Sequence, residues 1–355
     1  MPDAASTDLS DSPFLRACRG LPTDQVPVWF MRQAGRSLPE YRAVRGTGNI
    51  FDALNDPALA AEITLQPVRR YGVDAAILFS DIVVTAAAVG FGVEIRPGVG
   101  PVVEKPFERI DDLDRLRELD VESDIENVVE TVRLVADALQ PMRVPLIGFA
   151  GAPFTVASYL VEGGPSRTYA KTLRLMRGDQ ELWSRLLMRL AGHASDLLRA
   201  QVRAGAQAVQ LFDSWAGALS PGDYERFVMP ASRAVFESLD DLDVPRIHFG
   251  VGTGELLGLM AQAGAEVVGV DWRVPLDAAR RRVRPGTALQ GNLDPTCCLA
   301  PWHEVEAASI DVLRRGGGTG HVFNLGHGVL PETDPSVLER VVELVHAWRG
   351  RGEAL

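Results

Sequence analysis

Apolar residues in this chain gather in short unbroken runs rather than in an alternating pattern. Eight such runs occur: VPVWFM (26–31), VDAAILF (73–79), VPLIGFA (144–150), AVQLF (208–212), VPRIHFG (244–250), EVVGV (266–270), TALQG (287–291) and GHVFNL (320–325). Runs of this length fit strands buried on both faces, because an alternating strand would leave one face in water. Between them lie stretches with helical spacing and end signals, at 56–72, 123–140, 181–206, 220–239, 253–265, 275–283 and 334–350. Strand and helix in alternation predict an α/β protein: a single-domain (β/α)8 barrel with its cleft at the carboxyl ends of the strands, and a doubly wound sheet as the fallback. Residues 82–120 form the longest excursion, where GVEIRPGVGPVVEK (92–105) predicts a hairpin around Pro97-Gly98 outside the barrel. The first ten residues carry no pattern and are expected to be disordered, leaving 11–355 as the barrel domain.

Charge narrows the partners. The 355 residues carry a formal net charge of -11, and the pI is about 5.1. Nucleic acid and anionic membrane surfaces require a broad basic face, so neither is an expected partner. Three cysteines, Cys18, Cys297 and Cys298, are too few for a disulfide framework and suggest a reducing, cytoplasmic compartment. The N-terminal residues lack a basic segment followed by an apolar one, and no uncharged apolar stretch approaches the ~20 residues of a membrane span. Lysine occurs only at Lys105 and Lys171, neither of them after a predicted strand, which disfavours Schiff-base chemistry.

Barrel enzymes carry their chemistry where strands end. After the first run come Arg32 and Arg36, within a stretch that also holds Arg42 and Arg45. Two guanidinium groups four residues apart can grip separate carboxylates, or simply lie solvated on a loop. After the second comes Asp81, which could bind a cation, pair with arginine, accept N–H donors from a ligand, or cap a helix. After the third comes Tyr159, in a segment read as a loop. After the fourth come Asp213 and Ser214, without the G-x-S-x-G elbow of a nucleophilic serine. Gly250, Gly252 and Gly254 after the fifth match neither a dinucleotide fingerprint nor a phosphate loop. After the seventh, Asn292 and Asp294 read as turn formers. After the eighth, His327 stands between Gly326 and Gly328 and faces a cleft or a core. Metal-ligand spacings of the H-x-H, H-x-C or C-x-x-C kind are absent. Arginines, one acid and hydroxyl or imidazole donors suit a cofactor-free enzyme acting on a polycarboxylate.

PVWFMRQAGRSLPEYR, AAILFSDI, GFAGAPFTVASYL, VQLFDSWAG, GNLDP and FNLGHGVLP occur in that order along nearly the whole chain. In these motifs the sequence closely resembles the uroporphyrinogen decarboxylase family of tetrapyrrole synthesis. The resemblance implies a distorted (β/α)8 barrel, a homodimer, and no metal or organic cofactor. It implies conversion of the four acetate side chains of uroporphyrinogen III to methyl groups, with release of four CO2. It places substrate contacts on Arg32, Arg36, Asp81, Tyr159, Ser214 and His327, and the chemistry on Asp81 and Arg32. Phe212, beside the serine, is expected to line the pocket. Two alternatives remain open at this point: a zinc-dependent methyltransferase of the same superfamily, whose H-x-C element would fall on His248 and Gly250, and a non-catalytic tetrapyrrole-binding protein.

Overall fold

The computed structural model describes residues 9–46, 49–96 and 98–349. Its strands are β1 (Ala76–Ile77), β2 (Val93–Arg96), β3 (Gly100–Val103), β4 (Leu146–Gly151), β5 (Ala208–Phe212), β6 (Arg246–Phe249), β7 (Val267–Gly269), β8 (Ala288–Gln290) and β9 (His321–Val322). Seven of them pair in parallel in the order β1-β4-β5-β6-β7-β8-β9, so the doubly wound alternative, whose strand order reverses, falls away. Strands β2 and β3 form the expected separate antiparallel hairpin, with Val93 opposite Val103. Its tip at Pro97 lies outside the described residues, as do residues 1–8 of the start expected to be disordered. Leu9, within that predicted start, is buried in the core.

The first predicted run does not become a full strand. Only Val28 bridges, in parallel with Phe323. Trp29 N–H donates to the Phe323 carbonyl at 3.3 Å, Phe323 N–H to Pro27 at 2.8 Å, and Asp74 N–H to the Val28 carbonyl at 2.8 Å. This segment therefore stands between the last strand and the first and closes the curled sheet. The ladder stops there because a side chain replaces a backbone acceptor: Val28 N–H donates to the Asp74 carboxylate at 2.8 Å. That carboxylate also lies 2.8 Å from His346 Nε2 and accepts from Gln25.

Side chains meeting across the sheet show which face is inside. Trp29 Nε1 donates to Gln290 Oε1 at 3.0 Å, and Gln290 Nε2 donates to Gln210 Oε1 at 2.9 Å. Strands β5 and β8 are not neighbours, so their side chains can meet only through the lumen. Phe149, Phe212 and Phe249 share this face by register, and their rings pack edge to face with centroids 5.2 and 5.9 Å apart. His248 therefore points the other way, and its ring packs against Phe236 in the helix layer.

Local signals account for most helices. Asp56 caps Pro57–Tyr71 by accepting from Leu59 N–H, and Gly72 ends it in the left-handed region at φ 65°. The run predicted over 181–206 is the helix Gln180–Ala204, capped by Asp179. The stretch at 220–239 is two helices, Pro221–Phe227 and Met229–Glu237, divided where Pro230 has no N–H to donate. The segment after β4 corrects the sequence reading: Tyr159 lies on a helix, Pro153–Glu162, not in a loop. Pro153 sits at the first turn, where proline is tolerated. The helix is buried nearly all round, so it shows no apolar stripe. It supports the hairpin, since Val103 N–H donates to Gly163 and Phe107 N–H to Leu160.

Candidate active site

The carboxyl ends of the strands gather a set of charged and aromatic side chains. Arg32 lies just past the Val28 bridge, in a turn pinned from both sides. Buried Gln33 accepts from Phe30 N–H and donates to the Ala75 carbonyl, each at 3.1 Å. Asn324 accepts from Met31 N–H at 3.1 Å, and Val329 N–H donates to Met31 at 2.8 Å. Arg32 itself adopts φ 58°, a left-handed conformation that costs a non-glycine residue about 1 kcal/mol. A Cβ on Gly328 would sit 2.4 Å from Arg32 Cδ, and one on Gly326 would sit 2.3 Å from the Trp272 backbone nitrogen. The glycines around His327 are thus where other segments press against its loop, and they leave Arg32 room to lie along it.

Asp81 follows β1 by four residues and is half-buried. Burial pushes its carboxyl up to about 6, while the Val83 and Ile82 N–H groups and the Arg32 charge pull the other way. Val83 N–H donates to Asp81 Oδ1 at 3.1 Å. The helix-cap alternative falls away, since the following helix Val84–Ala88 begins from Val83 with no side-chain cap; one Asp81 oxygen closes the turn, and the carboxylate still feels Arg32. Tyr159 reaches the same place from its helix. Its hydroxyl is held well above the usual range, first by burial and then by the Asp81 charge, so it stays a protonated donor. The Tyr159 ring lies on Trp215 with centroids 3.8 Å apart, and Tyr169 covers Trp215 at 5.1 Å.

Ser214 is half-buried in the turn after β5. Its neighbours are fixed: Thr155 Oγ1 donates to Asp213 Oδ1 at 2.8 Å and accepts from Trp215 N–H at 3.2 Å. The loop carrying Ser214 is thereby tied to the helix carrying Tyr159. Phe212 is half-buried on the lumen face beneath. His327 is half-buried as well, and its Nδ1 accepts from Gly328 N–H at 2.6 Å. Its pKa is pushed down to about 4, by burial first and then by the charges of Arg32 and Arg273. The resting ring is therefore a neutral imidazole with its proton on Nε2. A neutral ring donates a hydrogen bond rather than a proton near neutrality.

Arg32, Asp81, Tyr159 and His327 are thus brought together by structure, with Ser214 joined through Trp215. Arg36 is exposed on the turn four residues beyond Arg32, and among the described residues its guanidinium has no carboxylate partner. Arg42 serves that turn instead, donating to the Arg36 and Ser37 carbonyls at 2.6 and 3.1 Å. Sequence reasoning missed Trp215, although it stands inside FDSWAG, and missed Asp271 and Arg273 after β7 altogether. Asp271 is buried and links loops, accepting from Gly252 N–H at 2.5 Å and from Arg273 N–H at 3.1 Å. Its only sequence signal was an acid directly after an apolar run.

The zinc alternative meets a geometric objection. His248 faces the helices, away from the lumen, with Asp213 3.7 Å from its Nε2. Among the described residues no group of three His, Cys, Asp or Glu side chains converges to hold a metal. Among the described residues no helix is long and apolar enough to cross a membrane.

A parallel barrel whose strand ends collect a partly desolvated acid, arginines and fixed donors is the scaffold of an enzyme acting on an anionic compound. Comparison with known proteins identifies which one. Residues 9–348 match the model of the family described as uroporphyrinogen decarboxylase (URO-D), and the chain belongs to that family. It is 61% identical over 342 residues to "Uroporphyrinogen decarboxylase" of Streptomyces coelicolor, covering 96% of each chain. It is 59% identical over 348 residues to the protein of the same name from Salinispora tropica, covering 98% of this chain and 93% of that one. Among solved structures it resembles a methyltransferase from Methanosarcina mazei, with a TM-score of 0.74 at 21% identity, over 94% of this chain and 97% of that one. A likeness at that identity concerns the fold alone.

Proposed function

We propose that this chain removes CO2 from the four acetate side chains of uroporphyrinogen III, leaving methyl groups and giving coproporphyrinogen III. The observation that carries the reading is Asp81: a partly desolvated carboxylate at a strand end, beside Arg32, in a chain with 55–61% identical relatives named for this reaction. Each cycle replaces a carboxylate by a proton: R–CH2–CO2⁻ plus H⁺ gives R–CH3 and CO2. The electron pair left by CO2 needs a sink. Protonation of the ring carbon between the nitrogen and the carbon that bears the acetate supplies one, because the acetate-bearing carbon becomes part of a cation that takes up the pair as an exocyclic C=CH2 bond when the C–C bond breaks. A second proton at the exocyclic carbon, with loss of the first from the ring, completes the methyl group.

Asp81 accepts pyrrole N–H bonds in this scheme, and its charge stabilises the cationic ring. A fixed counter-charge in a site with little water is worth a few kcal/mol, roughly 10²–10³ in rate. The raised carboxyl is the signature of a charge waiting for such donors, since N–H bonds from a ligand would relieve its desolvation. Arg32 and Arg36 bind carboxylates through charge-assisted hydrogen bonds, and Tyr159, Ser214 and neutral His327 donate further ones. Arg32 is intrinsically a poor acid, so it acts on the proton by holding a water or a substrate carboxylic acid in place. The reading also carries a homodimer in the cytoplasm, supported by the family resemblance and tested by sedimentation and cell fractionation.

Anaerobic incubation of the purified protein with chemically reduced uroporphyrinogen tests the whole reading. Products are oxidised and separated by carboxyl number. Species with seven, six, five and finally four carboxyls are expected. Unchanged eight-carboxyl material from folded protein would refute it.

A further inference from the structure

Uroporphyrinogen carries eight carboxylates, and the residues assigned so far offer only two cations. A third guanidinium stands on the same rim. Arg273 follows β7 by four residues, and the Trp272 backbone before it packs against Gly326, one residue from His327. The guanidinium is fixed before any ligand arrives. Its carbon lies 4.0 Å over the Trp272 ring, and its Nη1 donates to the buried Asp271 carboxylate at 2.5 Å. The turn is held in turn by Asn292, whose Nδ2 donates to the Asp271 and Val274 carbonyls at 2.7 and 2.6 Å. One edge of the guanidinium is committed to Asp271 while the side chain stays 52% exposed, so the remaining N–H groups face outward.

Position also says which kind of carboxylate would meet it. His327 feels the charges of both Arg32 and Arg273, whereas Asp81 feels Arg32 and not Arg273. Asp81 follows β1 whereas Arg273 follows β7, four strands along the sheet, and the Trp272 contact with Gly326 sets Arg273 beside the His327 loop. A firm ion pair at the reacting acetate would oppose loss of CO2, because it stabilises the carboxylate of the ground state. A peripheral carboxylate that survives turnover carries no such penalty. We propose that Arg273 is a third substrate-binding arginine, which donates its free N–H groups to a propionate of the macrocycle on the His327 side of the cleft. This rests on the decarboxylase reading above. The Asp271–Arg273 pair is close to neutral, so it acts by orientation at short range rather than by drawing the substrate from afar. Preorganisation on an indole and a buried carboxylate lets the guanidinium bind with little further loss of freedom.

The test compares Arg273→Gln and Arg273→Lys with the parent in two measurements. Coproporphyrinogen III, which retains only propionates, is titrated anaerobically by equilibrium dialysis, and KM and kcat are taken with eight-carboxyl and five-carboxyl substrates. Arg273→Gln is expected to weaken coproporphyrinogen binding about tenfold and to raise KM about tenfold for both substrates, with kcat within about threefold of the parent. Arg273→Lys, which keeps the charge but not the fork, recovers part of the loss. Unchanged affinity for coproporphyrinogen, or a fall in kcat and Tm with KM held, would overturn the assignment and leave Arg273 a tether between loops. If removing the guanidinium alone leaves Asp271 buried and unpaired and the protein fails to fold, Asp271→Asn combined with Arg273→Gln removes the pair together and is titrated in the same way. The dialysis result stands whether or not the parent turns over, whereas absence of four-carboxyl product from the parent refutes the decarboxylase reading alone.

Discussion

Asp81→Asn separates the catalytic demand on this residue from its effect on the fold. The Asp81 carboxyl is raised from 3.8 to about 6, a gap of about 2 pH units, and each unit is worth ~1.4 kcal/mol. Holding the ionised form in place at pH 8 therefore costs the folded state about 3 kcal/mol at most. Asp81 is only half-buried, so water screens part of this, and about 1–2 kcal/mol is the working figure. The sign follows from linkage: a carboxyl whose folded pKa lies above its unfolded one stabilises the protein fully below pH 4, and that contribution is lost as pH rises through 6. Asparagine carries no charge and its Oδ1 still accepts from Val83 N–H. The variant is expected to be more stable than the parent at pH 8, by roughly 2–4 °C in Tm, with the advantage shrinking to nothing near pH 4. Its kcat is expected to fall roughly 10²–10³-fold. Thermal unfolding at pH 8 and pH 4, with anaerobic turnover of uroporphyrinogen at pH 7, reads both quantities. In the parent, kcat/KM should fall below about pH 6 as Asp81 takes up a proton. A variant less stable than the parent at pH 8 would refute the desolvation account, and near-parental kcat would remove Asp81 from the chemistry.

Three further outcomes follow from the site. Arg36→Ala removes an exposed guanidinium with no carboxylate partner among the described residues, so Tm should hold while KM rises about tenfold; unchanged KM in steady-state assays would exclude Arg36 from binding. His327→Asn should lower kcat less than about tenfold, because the resting imidazole is neutral and other donors remain; complete loss of turnover would make it the acid or base. Gly328→Ala forces Arg32 away from a Cβ that would otherwise lie 2.4 Å from its Cδ, and a shift of about 1 Å is worth up to ~10² in kcat/KM. Full activity in that variant would show that the Arg32 position is not needed.

The sequence determined the architecture and pointed to most of the candidate site because the physics there is local. Runs buried on both faces mark parallel strands at seven of eight positions, and the Asp56 cap with the Gly72 stop fixes a helix from within. The strand-end rule then led to Arg32, Asp81, Ser214 and His327. Tertiary structure decided what depends on distant partners. The run at 26–31 was shortened to a bridge because Asp74, from another segment, took the place of a ladder acceptor. The helix under Tyr159 was hidden because a helix buried nearly all round has no periodic stripe to betray it. Trp215 and Arg273 became visible only when stacking on Tyr159 and closeness to His327 were known. The pKa values lay beyond sequence reasoning for the same reason. Asp81 and His327 are shifted by the burial and charges that the fold gathers around them, and those neighbours come from strands far apart in the chain.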